Sequence, residues 1–152
     1  MKVKDLPEEV YVNGEGHVLG RLASYVAKIL LSGRKVYVVN AEKIVITGKW
    51  KNLVEEWRHK VLERGDWYKG PFYPKRPDRI FRRVVRGMLP KNKKGREALR
   101  NLKVYIGIPD DLSNKSFMIF EKALITERVK YSRRKIWYTE LGEISKQLGA
   151  KF

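Results

Sequence analysis

Apolar side chains recur along this chain with two different periods, and the switching between them predicts an α/β protein. A short strand is expected around Val10–Asn13, followed by the turn Gly14-Glu15-Gly16-His17. From about Val18 to Leu31 the positions Leu19, Leu22, Ala23, Val26, Ile29 and Leu30 form one wide stripe, with Arg21, Ser24 and Lys28 outside it. That is the pattern of a helix with one buried face. Ser32-Gly33 ends it, with Gly33 as the left-handed cap. Val36–Val39 is a continuous apolar run, as expected of a strand covered on both faces. The run KIVITG is a short apolar segment before a second helix, roughly Asn52 to Glu63. Strand, helix and strand in this order make a βαβ unit, which predicts a mostly parallel sheet with helices packed on it. Lys103–Gly107 (KVYIG) supplies a further strand.

The middle of the chain carries a different kind of pattern. In a helix from Arg79 to Leu89, Ile80, Val84 and Met88 repeat at i, i+4, i+8, with Phe81 and Val85 beside them, so this face needs burial. Arg82, Arg83 and Arg86 point elsewhere, and Arg79 sits one turn before Arg83. Pro90 ends the helix, KNKKG reads as a basic, poorly structured loop closed by Gly95, and the short helical run REALRNL follows. Apolar anchors at both ends of a basic element make a docking surface.

The flanking segments are less regular. Between Arg64 and Arg79, three prolines, two glycines and four aromatic residues break every period, and an extended loop is expected. After Pro109 the pattern weakens: SFMIFEKALI is compatible with a helix, ERVKYSRRKIWYTE is basic and aromatic, and ELGEISKQLG reads as a short amphipathic helix using Leu141, Ile144 and Leu148. The 152 residues suffice for one domain with a hydrophobic core, and no repeat or low-complexity tract divides them.

Charge sharpens this picture. The formal net charge is +17, which points to a polyanionic partner. Residues 1–48 hold 7 Lys/Arg against 5 acids, residues 49–108 hold 18 against 6, and residues 109–152 hold 9 against 6. A general solubility charge would be spread evenly, whereas this excess is concentrated in the middle. There is no cysteine, so disulfides, zinc ribbons and thiol nucleophiles are excluded. The N-terminus MKVKDLPEEV lacks the apolar core of a secretory signal, and no apolar run approaches a membrane span, so a cytosolic protein is expected.

Catalytic readings find little support. Gly14, Gly16 and Gly20, with Glu42 past the second strand, approach the dinucleotide fingerprint, in which glycines admit a pyrophosphate to a helix N-terminus. The spacing is one residue longer than the usual form, and His17 and Leu19 are bulky. A tight turn with a close helix–strand contact accounts for the same glycines. His17 and His59 stand in no metal-ligand pattern. Glu55 and Glu56 are adjacent on a helix and do not converge. No enzyme activity and no cofactor is expected.

Binding chemistry is better represented. Arginine forks on a helix face match phosphate oxygens, and Lys91, Lys93 and Lys94 suit a less structured phosphate ridge. Trp67, Tyr68, Phe72 and Tyr73, interleaved with Lys69, Lys75 and Arg76, either stack on unpaired bases or staple their loop to the domain surface.

The run VRGMLPKNKKGREALRNLKVYIGIP resembles the signature of the ribosomal protein L13 family of the large subunit, and HVLGRLASYVAKILLSG followed by VVNAEKIVITG is similar to that family's N-terminal half. The resemblance is colinear over about Val12–Pro109, and the tail is similar to the archaeal and eukaryotic branch. It implies a Rossmann-like three-layer α/β/α fold on a mostly parallel sheet of about four strands, in one domain with a core at about 10–109 and a helical or extended C-terminal extension at about 110–152. It also implies a role in the cytoplasmic ribosome: binding large-subunit ribosomal RNA beside neighbouring ribosomal proteins and supporting assembly. The glycine turn then becomes a βα connection without a nucleotide. Arg82, Arg83, Arg86 and Met88 to Gly95 fall in the matching motif. The full set of candidate RNA contacts is Lys75, Arg76, Arg79, Arg82, Arg83, Arg86, Lys91, Lys93, Lys94, Arg96 and Arg100, then Arg133, Arg134 and Lys135, with Trp67, Tyr68 and Tyr73 as aromatic partners. Charge reversal at Arg82, Arg83 and Arg86 is expected to spare the fold and weaken binding. Two alternatives share parts of this pattern: a free-standing RNA-binding translational regulator, and a Rossmann-like nucleotide-dependent enzyme.

Overall fold

A computed structural model describes residues 2–152. Three strands, β1 (Glu9–Asn13), β2 (Lys35–Val39) and β4 (Leu102–Val104), form a parallel sheet in the order β1-β2-β4. Val10 faces Val36, and Val36 faces Leu102 across the ladders. A fourth position exists only as a single parallel bridge: Met118 accepts from the Asn13 N–H at 3.2 Å and donates to the Tyr11 carbonyl at 2.7 Å. Helix α1 (Leu19–Leu31) joins β1 to β2 and buries the stripe from Leu19 to Leu30. Gly33 caps it at φ +90°, donating to the Leu30 carbonyl. Helices α3 (Pro77–Met88) and α4 (Lys93–Arg100) lie between β2 and β4 in the chain, and α1 packs against both of them.

The sheet is covered less evenly than its apolar run implies. Val36, Val38 and Val39 are fully buried, but Tyr37 is only partly buried, so β2 alternates like β1 up to Val38. On the outward face Tyr11 and Tyr37 stack at 5.0 Å, with Lys115 and Lys103 over their rings. The α/β class and its mostly parallel sheet with packed helices are therefore observed, and part of this face is lined by aromatic and cationic side chains.

The run KIVITG leaves the parallel sheet. Asn40 adopts φ +55°, a left-handed conformation that asparagine tolerates, and a 3₁₀ turn at Ala41–Lys43 redirects the chain. Strand β3 (Val45–Thr47) then pairs antiparallel with β5 (Tyr138–Glu140). Helix α2 (Trp50–Arg58) begins two residues earlier than the sequence pattern indicates and continues through a π turn at His59–Glu63. The segment SFMIFEKALI is mostly extended, with one 3₁₀ turn at Glu121–Ala123, before α5 (Ile125–Tyr131). Met118 pairing with the β1 edge takes the backbone bonds a helix would need.

The last forty residues close the core as much as they extend it. Phe120, Ala123, Leu141, Ile144 and Leu148 belong to the same buried cluster as Val10, Leu22 and Phe81. In α6 (Leu141–Gln147), Gly142 packs so closely on the 3₁₀ turn that an added Cβ would lie 3.0 Å from the Glu42 carbonyl oxygen. His17, fully buried, ties the glycine turn to the tail: its Nε2 accepts the Phe120 N–H at 3.0 Å, so Nδ1 carries the proton, 3.2 Å from the Glu15 carbonyl.

Burial lowers the His17 pKa below the ordinary imidazole value of 6.5, and backbone hydrogen bonds at Gly14 and Glu15 oppose the shift only in part. The folded state thus prefers neutral imidazole. Its stabilising contribution is complete above the unfolded value and is lost as pH falls below it. Thermal unfolding followed between pH 7.5 and 5 should show the midpoint falling toward acid. His17→Gln, which keeps an acceptor but does not titrate, should flatten that fall. An identical pH profile in the two proteins would contradict the assignment.

Candidate nucleic-acid interface

Helix α3 is the element that sorts the cations. Pro77 occupies its first turn, where a missing N–H costs nothing, and Ile80, Phe81 and Val85 are buried along it, continued by Leu89 just beyond its end. Val84 is only partly buried, and Met88, the last residue of the helix, is 43% exposed, so the buried face is narrower and ends sooner than the sequence-derived one. Phe81 and Val85, one and five residues after Ile80, take the interior with it, and Met88 is left outside.

Their places around the helix give the arginines different work. Arg82 is half-buried, and its guanidinium donates to the Leu102 carbonyl of β4. Arg83 lies 3.9 Å from the centre of the Tyr73 ring and donates to the Phe72 carbonyl at 3.2 Å. Both are engaged by contacts within the chain, which reversal of their charge would remove. Arg76 pairs with Asp78 at 3.4 Å. Arg86 and Arg79 are exposed and make no ion pair or hydrogen bond among the described residues.

The basic loop is also shorter and more ordered than its composition indicates. Asn92 caps α4 by accepting the Gly95 N–H at 3.0 Å, so Lys93, Lys94 and Gly95 are already helical. Gly95 is required by contact: a Cβ there would sit 1.8 Å from the Pro90 carbonyl oxygen. The lysines that read as a flexible ridge are therefore mounted on a fixed turn.

Together α3, α4 and the strap carrying Tyr73 and Pro74 enclose a groove of about 800 Å³. Of the sequence-derived candidates it gathers Tyr73, Arg83, Arg86, Lys91 and Arg96. Lys75, Arg79, Lys93, Lys94 and Arg100 are exposed on or beside the same two helices, outside the groove lining. Sequence reasoning missed Trp57, Lys60 and Gly87, which also line it. A signal existed for the first two, which are three apart on the continuous run of α2 and its π turn.

Other candidates lie apart. Trp67 and Tyr68, 78% and 73% exposed, pack on each other at 4.0 Å at the tip of a tight turn. Asp66 closes that turn by exchanging backbone bonds with Gly70 and accepting the Tyr68 N–H, so the expected extended loop contains a compact tip. Of the four loop aromatics only Tyr73 is stapled down. Arg133, Arg134 and Lys135 sit on the exposed approach to β5, with Lys135 4.1 Å from the Trp137 ring.

The glycine turn is occupied by the protein itself. The Gly14, Gly16, His17 and Val18 amides donate to the carbonyls of Val39, Lys43, Gly14 and Ala123. Glu42 accepts the Gly107 N–H at 2.9 Å. The donors that would cradle a pyrophosphate, and the acid that would hold a ribose, are thus already engaged. No helix is long and apolar enough to cross a membrane among the described residues, and no cluster of potential metal ligands occurs among them.

Fold and surface together define a class: a basic α/β protein that mounts fixed cations on two helices beside a parallel sheet. The model of the family "Ribosomal protein L13" matches residues 8–111, and the chain belongs to the ribosomal protein L13 family. It is 50% identical over 145 residues to the large ribosomal subunit protein uL13 of Methanopyrus kandleri, covering 94% of this chain and 89% of that one. The uL13 proteins of Aeropyrum pernix and Archaeoglobus fulgidus are 47% and 45% identical, covering 94% and 91% of this chain and 91% and 86% of theirs.

The different roles of neighbouring arginines can be separated by substitution. Arg82→Ala leaves the Leu102 carbonyl without its partner and should cost about 1–3 kcal/mol of stability. Arg86→Ala should leave stability within about 0.5 kcal/mol. Denaturant titration of both variants measures this, and equal losses would refute the division.

Proposed function

We propose that this chain is a structural constituent of the large ribosomal subunit that binds ribosomal RNA through its α3–α4 face and supports subunit assembly, catalysing no reaction. The observation that carries this reading is a set of eight exposed basic side chains, Lys75, Arg79, Arg86, Lys91, Lys93, Lys94, Arg96 and Arg100, with no acidic partner among the described residues. They stand on or beside two helices whose rotation is fixed by buried residues, so the charge is presented in one arrangement.

The start of α4 adds to this. Its first turn contains no acid, and Lys91, Lys93 and Lys94 crowd the positive end of its dipole. Lysines there oppose the helix and are relieved by an anion such as phosphate. Membership in the ribosomal protein L13 family, and relatives that are large ribosomal subunit proteins, support large-subunit RNA within the cytoplasmic ribosome as the polyanion. Neighbouring subunit proteins are the other partners, and neither a cofactor nor a small-molecule substrate enters the mechanism.

If the eight cations neutralise about eight phosphates, affinity for large-subunit RNA should fall by roughly three to five decades between about 50 and 200 mM salt. Replacing Lys91, Lys93 and Lys94 by alanine should reduce the log–log salt slope by about 0.9 per lysine without unfolding α4. Filter binding across a salt series measures both. A slope near zero, or one unchanged by the triple substitution, would contradict this mechanism.

A further inference from the structure

The groove between α3 and α4 has a floor and a rim of different chemistry. Ile80, Val84, Leu89 and Leu99 make the floor, and the Tyr73 ring contributes a wall that Arg83 already holds in place. Arg86, Lys91 and Arg96 stand at the edge, and no carboxylate lines the groove. Whatever fits must offer an apolar, flat body to the floor and negative charge to the edge.

Gly87 narrows the choice. It lies inside α3, where glycine is a poor helix former. Its φ is not left-handed, and an added Cβ would meet nothing in the chain. Gly95 is demanded by the Pro90 carbonyl, but no contact within the protein demands Gly87. A bare stretch of backbone on the groove wall leaves room for a body that comes from outside.

The geometry points to an unpaired stretch of RNA in this groove, at least one nucleobase lying against the wall at Tyr73, Val84 and Gly87, with the flanking phosphates on Arg86, Lys91 and Arg96. The inference rests on the RNA-binding reading and deepens it. A base inside a duplex cannot reach such a floor, so the segment is a loop, bulge or single strand. Aromatic and guanidinium planes beside an apolar floor match base stacking, and the edge cations match a backbone with one charge per nucleotide. An acidic peptide would match the edge but has no use for the planar wall.

The open space at Gly87 makes the test selective. Gly87→Ala, in the full chain, should melt at or above the wild-type midpoint, since its Cβ meets no protein atom, and Gly87→Phe should stay folded with its ring in the open groove. With deproteinised large-subunit RNA as the probe at fixed salt, Gly87→Ala should bind like the wild type and Gly87→Phe should bind at least about tenfold more weakly. In the wild type, RNA carrying 4-thiouridine should crosslink to the segment from Tyr73 to Gly87. Wild-type affinity in Gly87→Phe, or crosslinks confined to other segments, overturns the inference and leaves the RNA-binding reading intact. Normal RNA binding by Gly87→Phe with exclusion from reconstituted subunits would assign the groove to a protein segment and also overturn it. Failure of the wild type to bind the RNA brings down both readings.

Discussion

Burial of Ile80, Phe81, Val85 and Leu89 fixes the rotation of α3, and that rotation decides which arginines are free. Because Phe81 and Val85 are fully buried against a core shared with α1 and the sheet, the helix has little freedom to turn. Arg82 then reaches the end of β4, Arg83 holds the strap that carries Tyr73, and Arg86 remains for a partner. Gly95 continues the same logic into α4, letting the helix start directly beside Pro90. The cost of holding many like charges in one place is met by apolar packing beneath them.

Local periodicity made much of this legible. The α1 stripe, the Gly33 cap, the βαβ alternation and the α6 positions Leu141, Ile144 and Leu148 depend on neighbours within a turn or two, and each is found where the pattern places it. What escaped depends on distant residues. Nothing near KIVITG announces that it will pair with Tyr138–Glu140, and nothing near Met118 announces the β1 edge. Arg82 sits at the boundary between the apolar stripe and solvent, and its partner is a carbonyl 20 residues away. Asn92 was readable as a helix cap three residues before Gly95, but the lysines around it favoured a loop reading.

The glycine turn illustrates how one sequence feature can serve two chemistries. Glycines between a strand and a helix bring the backbone close to something. In a dinucleotide enzyme that something is a pyrophosphate. Here Gly14 is pressed against Ile44 and the Val39 carbonyl, and the Phe120–Ile125 segment crosses the turn through bonds to His17, Val18 and Gly16. The tail that continues past the family signature is what fills the place of a ligand.

The central claim is that the cations at the α3–α4 junction lie against polyanion in the assembled particle. Lysine acetylation read by mass spectrometry, on the free chain and on large subunits containing it, tests this directly. The account predicts that Lys91, Lys93 and Lys94 react readily in the free protein and are shielded in the subunit. Equal labelling of those three lysines in both states would contradict it.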